Sequence, residues 1–284
     1  MIRLAVLGPA GTFSDVAARQ YLKRHQLNYS LSYYNTIEQV AVAVAQTDQL
    51  ALLPLENTLD GYVQNTLAIL AKGQLRINGA VMVPVRFSLA ANVPELSKIK
   101  RLYVQFKTKG QCTKIIQQLS QAELLTTESN MLSFAKLEDS TAGDAAIIPQ
   151  FHLPELNPKK YLLVSDVTDQ SDNFTRFIVV GKKIEMTTIG VTNHFRYTCY
   201  VTPKCDYAGL LYDILGHFAK AKLNLISLIS RPTKKKMGQY SFYIEVSGVG
   251  EQLPKLHQVL QQLGKYYTVL DLGVYPATDL TESN

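Results

Sequence analysis

Apolar positions along this chain recur with two periods that exchange places repeatedly. Ile2–Leu7 is a continuous apolar run ahead of a glycine-rich turn, and Val16, Ala17, Tyr21 and Leu22 then follow at helical spacing. Leu31–Tyr34 reads as a second strand. Thr36-Ile37-Glu38-Gln39 has the hydroxyl and amide spacing of a capping box, and it opens a helix with Ile37, Val40, Ala41 and Val44 on one face. Leu50–Leu55 is short and apolar, as a buried strand should be. The next helix carries Val63, Leu67 and Leu70 and stops at Gly73.

The rhythm then restarts. An extended stretch over Leu75–Ala91 leads to strand Arg101–Phe106, helix Lys109–Ser120, strand Glu123–Thr127, helix Met131–Leu137 and strand Asp144–Pro149. Tyr161–Ser165 and Phe174–Val180 read as closing strands. Two α/β units joined by long strands predict two lobes with a cleft between them, the usual seat of a small ligand. Gly181–Gly190 is a charged connector poor in strand formers and marks a boundary. Beyond it the pattern is strand His194–Thr202, helix Ala208–Ala221, strands Leu223–Arg231 and Gln239–Val246, helix Gln252–Leu263 and strand Tyr266–Val274. That βαββαβ order is ferredoxin-like. Pro276 onward reads as a frayed tail.

Composition narrows the function classes. With 284 residues, 46% hydrophobic and 18% charged, the chain is an ordinary globular protein with enough length for two domains. No apolar run approaches the roughly 20 residues that cross a bilayer. The opening Met1–Leu7 is too short for a signal peptide and reads as a first strand, and the cysteine usage fits a reducing cytoplasm. Cys112, Cys199 and Cys205 form no Cys-x-x-Cys pair, so neither a metal site nor a disulfide framework is expected. The formal net charge of +6 is compatible with nucleic acid, an anionic substrate or nothing beyond solubility, and the one dense basic run, Lys234-Lys235-Lys236, sits in an apparent hairpin turn. Without a recognition helix or an aromatic-plus-basic motif, nucleic-acid binding is not expected.

Three polar islands carry candidate chemistry. Gly8-Pro9-Ala10-Gly11-Thr12-Phe13-Ser14 joins a strand to a helix, where glycines permit close backbone approach and free amides attract carboxylate or phosphate. Thr12 and Ser14 add hydroxyls; the alternative is a tight turn with Ser14 as helix cap. It is not a Walker loop, because no Gly-Lys-Ser/Thr follows. Glu56-Asn57-Thr58-Leu59-Asp60-Gly61 puts a carboxylate beside an amide and a hydroxyl at a strand end, suited to orienting a substrate, supplying an acid or capping a helix. Asp172-Asn173-Phe174-Thr175-Arg176-Phe177 adjoins an apolar strand. There Thr175 is either a cross-strand threonine or a donor, and Arg176 either an ordinary surface cation or a carboxylate clamp.

Together these islands resemble prephenate dehydratase over nearly the whole chain. The resemblance rests on Gly8–Ser14, Pro54-Leu55-Glu56-Asn57-Thr58, Gly61, Val63, Thr66-Leu67 and Asn173-Phe174-Thr175-Arg176-Phe177. The tail resembles an ACT domain through Ala208-Gly209-Leu210-Leu211, Asn224-Leu225 and Ser230-Arg231-Pro232-Thr233-Lys234. The resemblance implies a periplasmic-binding-protein-like catalytic domain over residues 1–182, with lobe one about 1–75 plus 160–182 and lobe two about 76–159, and an ACT regulatory domain over 191–276. It implies a lyase that releases water and carbon dioxide from prephenate to give phenylpyruvate, within phenylalanine biosynthesis. Aromatisation drives that reaction, so no cofactor or metal is implied. Thr175 would be the central catalytic residue, with acid character from Glu56 or Glu128. Thr12, Phe13, Ser14, Asn57, Thr58, Gly61, Gln111, Ser129, Arg176 and Phe177 would contact the substrate.

Departures from the family pattern carry their own expectations. A Ser-His-Pro-Gln run stands here as Val104-Gln105-Phe106-Lys107, so lobe two loses donor groups. In the tail, Ala208, Gly209, Leu210, Leu211, Ser230, Arg231 and Pro232 would hold L-phenylalanine across an interface of a homodimer or homotetramer. Ile229 replaces an acid and Leu210 is bulkier than the usual alanine, which predicts weakened or altered feedback. The alternatives are a prephenate decarboxylase-like or arogenate dehydratase enzyme and a non-catalytic small-molecule-binding regulator.

Overall fold

The computed structural model describes residues 2–47, 50–140, 142–182, 194–233 and 237–277. Most of the connector Gly181–Gly190, the run Lys234–Lys236 and the tail from residue 278 lie outside the described residues. Three sheets organise the chain. The first is built on β1 (Arg3–Leu7), which pairs in parallel with β2 (Ser30–Tyr34) and β3 (Leu50–Asn57). Helices α1 (Phe13–Arg24) and α2 (Ile37–Thr47) make the crossovers. Thr36 Oγ1 accepts from the Gln39 amide, and Gln39 reaches back to the Asn35 amide, so the start of α2 is capped from both directions. The short β4 (Gly61–Tyr62) folds back on β3, and α3 (Gln64–Leu70) follows. Leu4, Val6, Leu52 and Val179 on one face and Ala5, Leu53, Ile178 and Val180 on the other are fully buried, the mark of central strands covered on both faces.

The extended stretch over Leu75–Ala91 is two strands that serve different sheets. β5 (Arg76–Pro84) completes the first sheet, and β6 (Phe87–Ala91) enters the second. Pro84 cannot donate to a ladder, which fits a strand end there. The second sheet runs through β7 (Arg101–Gln105), α4 (Thr113–Gln118), β8 (Glu123–Thr127), α5 (Asn130–Glu138), β9 (Asp144–Pro149) and β10 (Leu162–Val164). Its order is β10-β6-β9-β7-β8. β11 (Phe174–Gly181) then returns to the first sheet between β3 and β5, antiparallel to both. The lobes therefore exchange chain near residues 84–87 and 164–174, later on both passes than the expected 75 and 160, because register rather than local pattern decides which sheet a strand joins.

One expected helix is divided. Lys109–Ser120 is a 3-10 turn over Thr108–Gln111 followed by α4. The Asp169 carboxylate accepts from the Thr113 and Lys114 amides and the Thr113 hydroxyl at 2.6–3.0 Å, so the helix restarts at a cap supplied from 56 residues away. Partial burial opposes ionisation of Asp169, but these donors outweigh it and hold its carboxyl below the usual range.

The C-terminal unit has the ferredoxin-like order β12 (His194–Pro203), α6 (Leu210–Lys220), β13 (Asn224–Pro232), β14 (Tyr240–Val249), α7 (Leu253–Tyr266), β15 (Tyr267–Pro276). Its four antiparallel strands lie in the order β13-β14-β12-β15. Cys199, Val201, Ile244 and Val246 face α6 and α7, packing on Ile214, Phe218, Leu256 and Leu263. The other face carries Tyr200, Tyr243, Leu272 and Tyr275, which share one core with Leu53, Leu55, Ile77 and Val180 of the first lobe. Burying four such side chains contributes several kcal/mol, at about 25 cal/mol per Å² of apolar surface. Tyr200 Oη also donates to the Leu67 carbonyl at 2.7 Å. Among the described residues no helix is long and apolar enough to cross a membrane.

Burial separates the three thiols. Cys112 and Cys199 are fully buried and Cys205 is exposed. Burial pushes the Cys112 thiol far up and the Cys199 thiol up to about 12. Ellman's reagent should titrate one thiol per chain rapidly in the folded protein and the other two only on unfolding. Loss of the rapid phase in Cys205→Ser, with the slow phase unchanged, checks the assignment.

Candidate active site

A cleft of about 680 Å³ opens between the first two sheets. Strand ends from both lobes and the start of α5 form its walls. The turn after β1 supplies Gly11, Thr12 and Phe13; the end of β3 and the hairpin after it supply Asn57, Asp60, Gly61 and Tyr62; the first lobe also gives Thr175 at the start of β11. The second lobe gives Gln105, Lys107, Thr108 and Gln111 after β7, Glu128, Ser129, Asn130 and Met131 around the start of α5, and Phe87 and Pro149 from the sheet.

Asn57 organises the first-lobe side. Its Oδ1 accepts from the Leu59 and Asp60 amides at 3.0 Å, an Asx turn that fixes the side chain. Its Nδ2 then lies 3.0 Å from Thr175 Oγ1, 2.9 Å from Asn173 Oδ1 and 3.1 Å from the Phe174 carbonyl. Thr175 and Asn57 are ladder partners, so backbone pairing and side-chain hydrogen bond agree. Because Asn57 donates, Thr175 Oγ1 accepts here and its own proton remains free to donate. Asn173 in turn donates from Nδ2 to Gln111 Oε1 at 2.9 Å, which links the strand to the second lobe.

The glycine-rich turn is held differently from the expectation. Thr12, not Ser14, is the N-cap of α1, its Oγ1 accepting from the Asp15 amide at 3.4 Å. Ser14 is buried on the helix and is absent from the cleft lining. The Gly11 amide donates to Asp15 Oδ2 at 2.9 Å, so it is not free to bind an anion. His152 Nε2 lies 2.7 Å from the Gly11 carbonyl, bringing the second lobe onto the same turn. Gly11 has φ +79° and a Cβ there would meet His152 at 3.1 Å, which explains the glycine. Phe13 stands edge-on to Phe87 and Phe151, centroids 5.7 and 5.2 Å away, and makes an aromatic wall spanning both lobes.

Several expected contacts belong elsewhere. Arg176 follows Thr175 on β11, so its side chain leaves the opposite face of the strand. It is 3% exposed and donates from Nη1 and Nη2 to Glu245 of β14 at 2.9 and 2.7 Å, and from Nη2 to Glu56 at 2.8 Å and Tyr62 Oη at 3.1 Å. Its guanidinium is spent on carboxylates of the protein, and the substrate-clamp reading of Arg176 is replaced by a structural one. Glu56 shares that network and is absent from the cleft lining. Burial opposes ionisation of Glu245, but the Arg176 charge and hydrogen bonds with the Tyr62 hydroxyl outweigh it and hold its carboxyl below the usual range. Phe177 is buried in the first-lobe core. Thr58 closes the hairpin against the Phe174 backbone.

Sequence reasoning passed over Asp60 and Lys107. Lys107 is exposed, and it is the one basic side chain lining the cleft among the described residues, beside the acids Asp60 and Glu128. It stands in the run that departs from the family pattern, where attention fell on the lost donors. Gln105 Oε1 accepts from the Lys107 and Thr108 amides at 2.9 and 3.0 Å and shapes that turn. Ser129 caps α5 and also lines the cleft.

The family model described as prephenate dehydratase matches residues 4–185. A bifunctional chorismate mutase/prephenate dehydratase of Aquifex aeolicus is 29% identical over 99% of this chain and 75% of its own length. A prephenate dehydratase of Methanocaldococcus jannaschii is 29% identical over 95% of this chain and 97% of its own. A crystal structure of the Arthrobacter aurescens prephenate dehydratase in complex with L-Phe superposes with a TM-score of 0.82, at 28% identity, over 99% of this chain and 94% of that one.

Asn57 carries a prediction about stability. Asn57→Leu strips partners from Thr175, Asn173 and the turn amides, and should cost about 1–3 kcal/mol in urea denaturation. A midpoint equal to that of the parent would show that this hydrogen-bond hub is not structural.

Proposed function

The chain belongs to the prephenate dehydratase family, and from that premise we propose that it converts prephenate to phenylpyruvate, water and carbon dioxide in the cleft between its lobes. The observation that carries the reading is Thr175 Oγ1 on the cleft wall, accepting from Asn57 Nδ2 at 3.0 Å with its proton left to donate. As the ring carboxylate leaves as carbon dioxide, its bonding pair enters the ring and the carbon–oxygen bond to the ring hydroxyl breaks. Thr175 stabilises the departing oxygen by hydrogen bonding, a group that gains charge only as the bond breaks. A threonine hydroxyl is too weak an acid to surrender its proton outright, so a cleft carboxyl, Glu128 or Asp60, supplies it. Aromatisation drives the step without a cofactor.

The substrate is a dianion, and Arg176 is engaged by Glu245 and Glu56. We assign the carboxylate contact to Lys107, with Thr12, Gln111 and Ser129 as further polar partners and Phe13 and Phe87 beside the ring. Residues 1–182 form the catalytic domain in this reading. Residues 191–276 form an ACT-type regulatory domain, supported by the βαββαβ order and by the L-Phe complex of the Arthrobacter relative. Of the two expected ligand segments, Leu210 lines a depression of about 50 Å³, Arg231 and Pro232 line a separate cavity of about 540 Å³ with Tyr200, Thr202 and Lys204, and Ile229 packs toward the first lobe. Arg231 donates to the Gln64 carbonyl at 3.1 Å. Weak feedback is supported by Ile229 standing where an acid is expected and by the bulk of Leu210, not by want of space beside Arg231. Edge strand β13 has no partner on its outer side among the described residues, which suits pairing with a second copy in a dimer or tetramer.

Two experiments test the reading. Appearance of phenylpyruvate from prephenate, followed by ultraviolet absorbance, should occur with the parent chain. It should fall about 10²–10³-fold in kcat for Thr175→Ala, the loss expected for one transition-state donor, with KM little changed. Lys107→Met should instead raise KM about 10- to 100-fold, as loss of a charged hydrogen bond does. Unchanged turnover in Thr175→Ala rules out the assigned role. In calorimetry, L-phenylalanine should give no saturating heat below the millimolar range; tight binding would contradict weak feedback.

A further inference from the structure

We infer that Glu245, on the C-terminal sheet, is a positioning residue for dehydration, acting through Arg176 to fix the strand that carries Thr175. The inference rests on the dehydratase reading of Thr175 and extends the reaction's requirements to a residue outside the cleft.

The argument begins with the ladder. Thr175 pairs with Asn57 and Arg176 with Glu56, but Phe177 pairs with Pro54, so the register slips one residue beyond Arg176. The unpaired residue is Leu55 of β3, and with the ladder locally disrupted there, β11 is held less firmly by β3 and more by the side chains that grip it. Two grips act on this short window. From the cleft side Asn57 holds Thr175 at 3.0 Å. From the other face Glu245 takes both terminal nitrogens of Arg176, at 2.9 and 2.7 Å.

Glu56 also binds Arg176, yet its side chain is 36% exposed, and an ion pair open to water and salt contributes little. Glu245 is fully buried. Its carboxylate also accepts from Tyr62 Oη at 2.7 Å and Tyr275 Oη at 3.2 Å, while Arg196 stands 4.0 Å away. A carboxylate satisfied in this way has one position, and it confers that position on the guanidinium. Tyr62 lines the cleft while donating to Glu245, so the same carboxylate steadies two walls of the site. The C-terminal unit thereby contributes to the geometry of a cleft it does not line.

Steady-state kinetics on prephenate with the full-length chain tests this. In Glu245→Gln the charge is lost and the shape kept. A misplacement of about an ångström costs on the order of 10²-fold, so kcat should fall about 10- to 100-fold with KM within about threefold. Glu245→Asp, which restores the charge, should recover part of that loss. Phe218→Leu loosens the C-terminal core from the helix side, away from Glu245, and should lower the melting temperature while leaving kcat within about twofold of the parent. A Glu245→Gln enzyme with parental kcat overturns the inference, as does an equal kcat loss in Phe218→Leu at matched melting temperature. A parent chain that does not convert prephenate overturns the dehydratase reading and the inference with it, whereas parental activity in the variants overturns the inference alone. If Glu245→Gln does not fold, Tyr275→Phe, which deletes one donor to Glu245, decides. A severalfold fall in kcat supports the inference, and none overturns it.

Discussion

The structure depends on one buried charge cluster. Arg176 and Glu245 are almost wholly removed from water, and taking such groups from solvent costs several kcal/mol each unless every hydrogen-bonding site is met. Two terminal nitrogens of Arg176 meet two oxygens of Glu245, with Tyr62 and Tyr275 completing the carboxylate and Arg196 and Glu56 balancing the charge nearby; the buried Nε of Arg176 has no partner and leaves part of that cost in place. The cluster joins β11, β3 and β14, which belong to two sheets and, in sequence, to opposite ends of the chain. Removing either partner strips the other of its buried counter-ion, so C-terminal sheet and first lobe are committed to each other.

The cleft follows from that commitment by alternation. Successive residues of a strand point to opposite faces, so fixing Arg176 toward the C-terminal sheet obliges Thr175 to face the gap between the lobes. Asn57 and Glu56 repeat the same division on the neighbouring strand. The second lobe is brought up by different means: Asn173 to Gln111, His152 to the Gly11 carbonyl, and the edge-on stacking of Phe13 on Phe87 and Phe151. These contacts assemble a polar floor and an aromatic wall from segments far apart in sequence.

Much of this was legible in the chain. The order of strands and helices, the βαββαβ tail and the three polar islands follow from periodicity and turn chemistry, which are local. What escaped is what long-range partners decide. The cap that restarts α4 at Thr113 is Asp169, and the carboxylate that takes Arg176 lies 69 residues away. A guanidinium beside a threonine reads equally well as clamp or strut until its partner is known. Leu75–Ala91 looked like one extended stretch because nothing local says that β5 and β6 enter different sheets. Lys107 carries no local signal of a site: a single exposed lysine in a turn reads as an ordinary surface residue until the second lobe brings it to the cleft.

A crystal structure of the protein with an unreactive prephenate analogue would test the central claim most directly. The account predicts the analogue's ring hydroxyl within hydrogen-bonding distance of Thr175 Oγ1, a carboxylate on Lys107, and Arg176 still paired with Glu245. An analogue carboxylate gripped by Arg176, with Glu245 released, would contradict it.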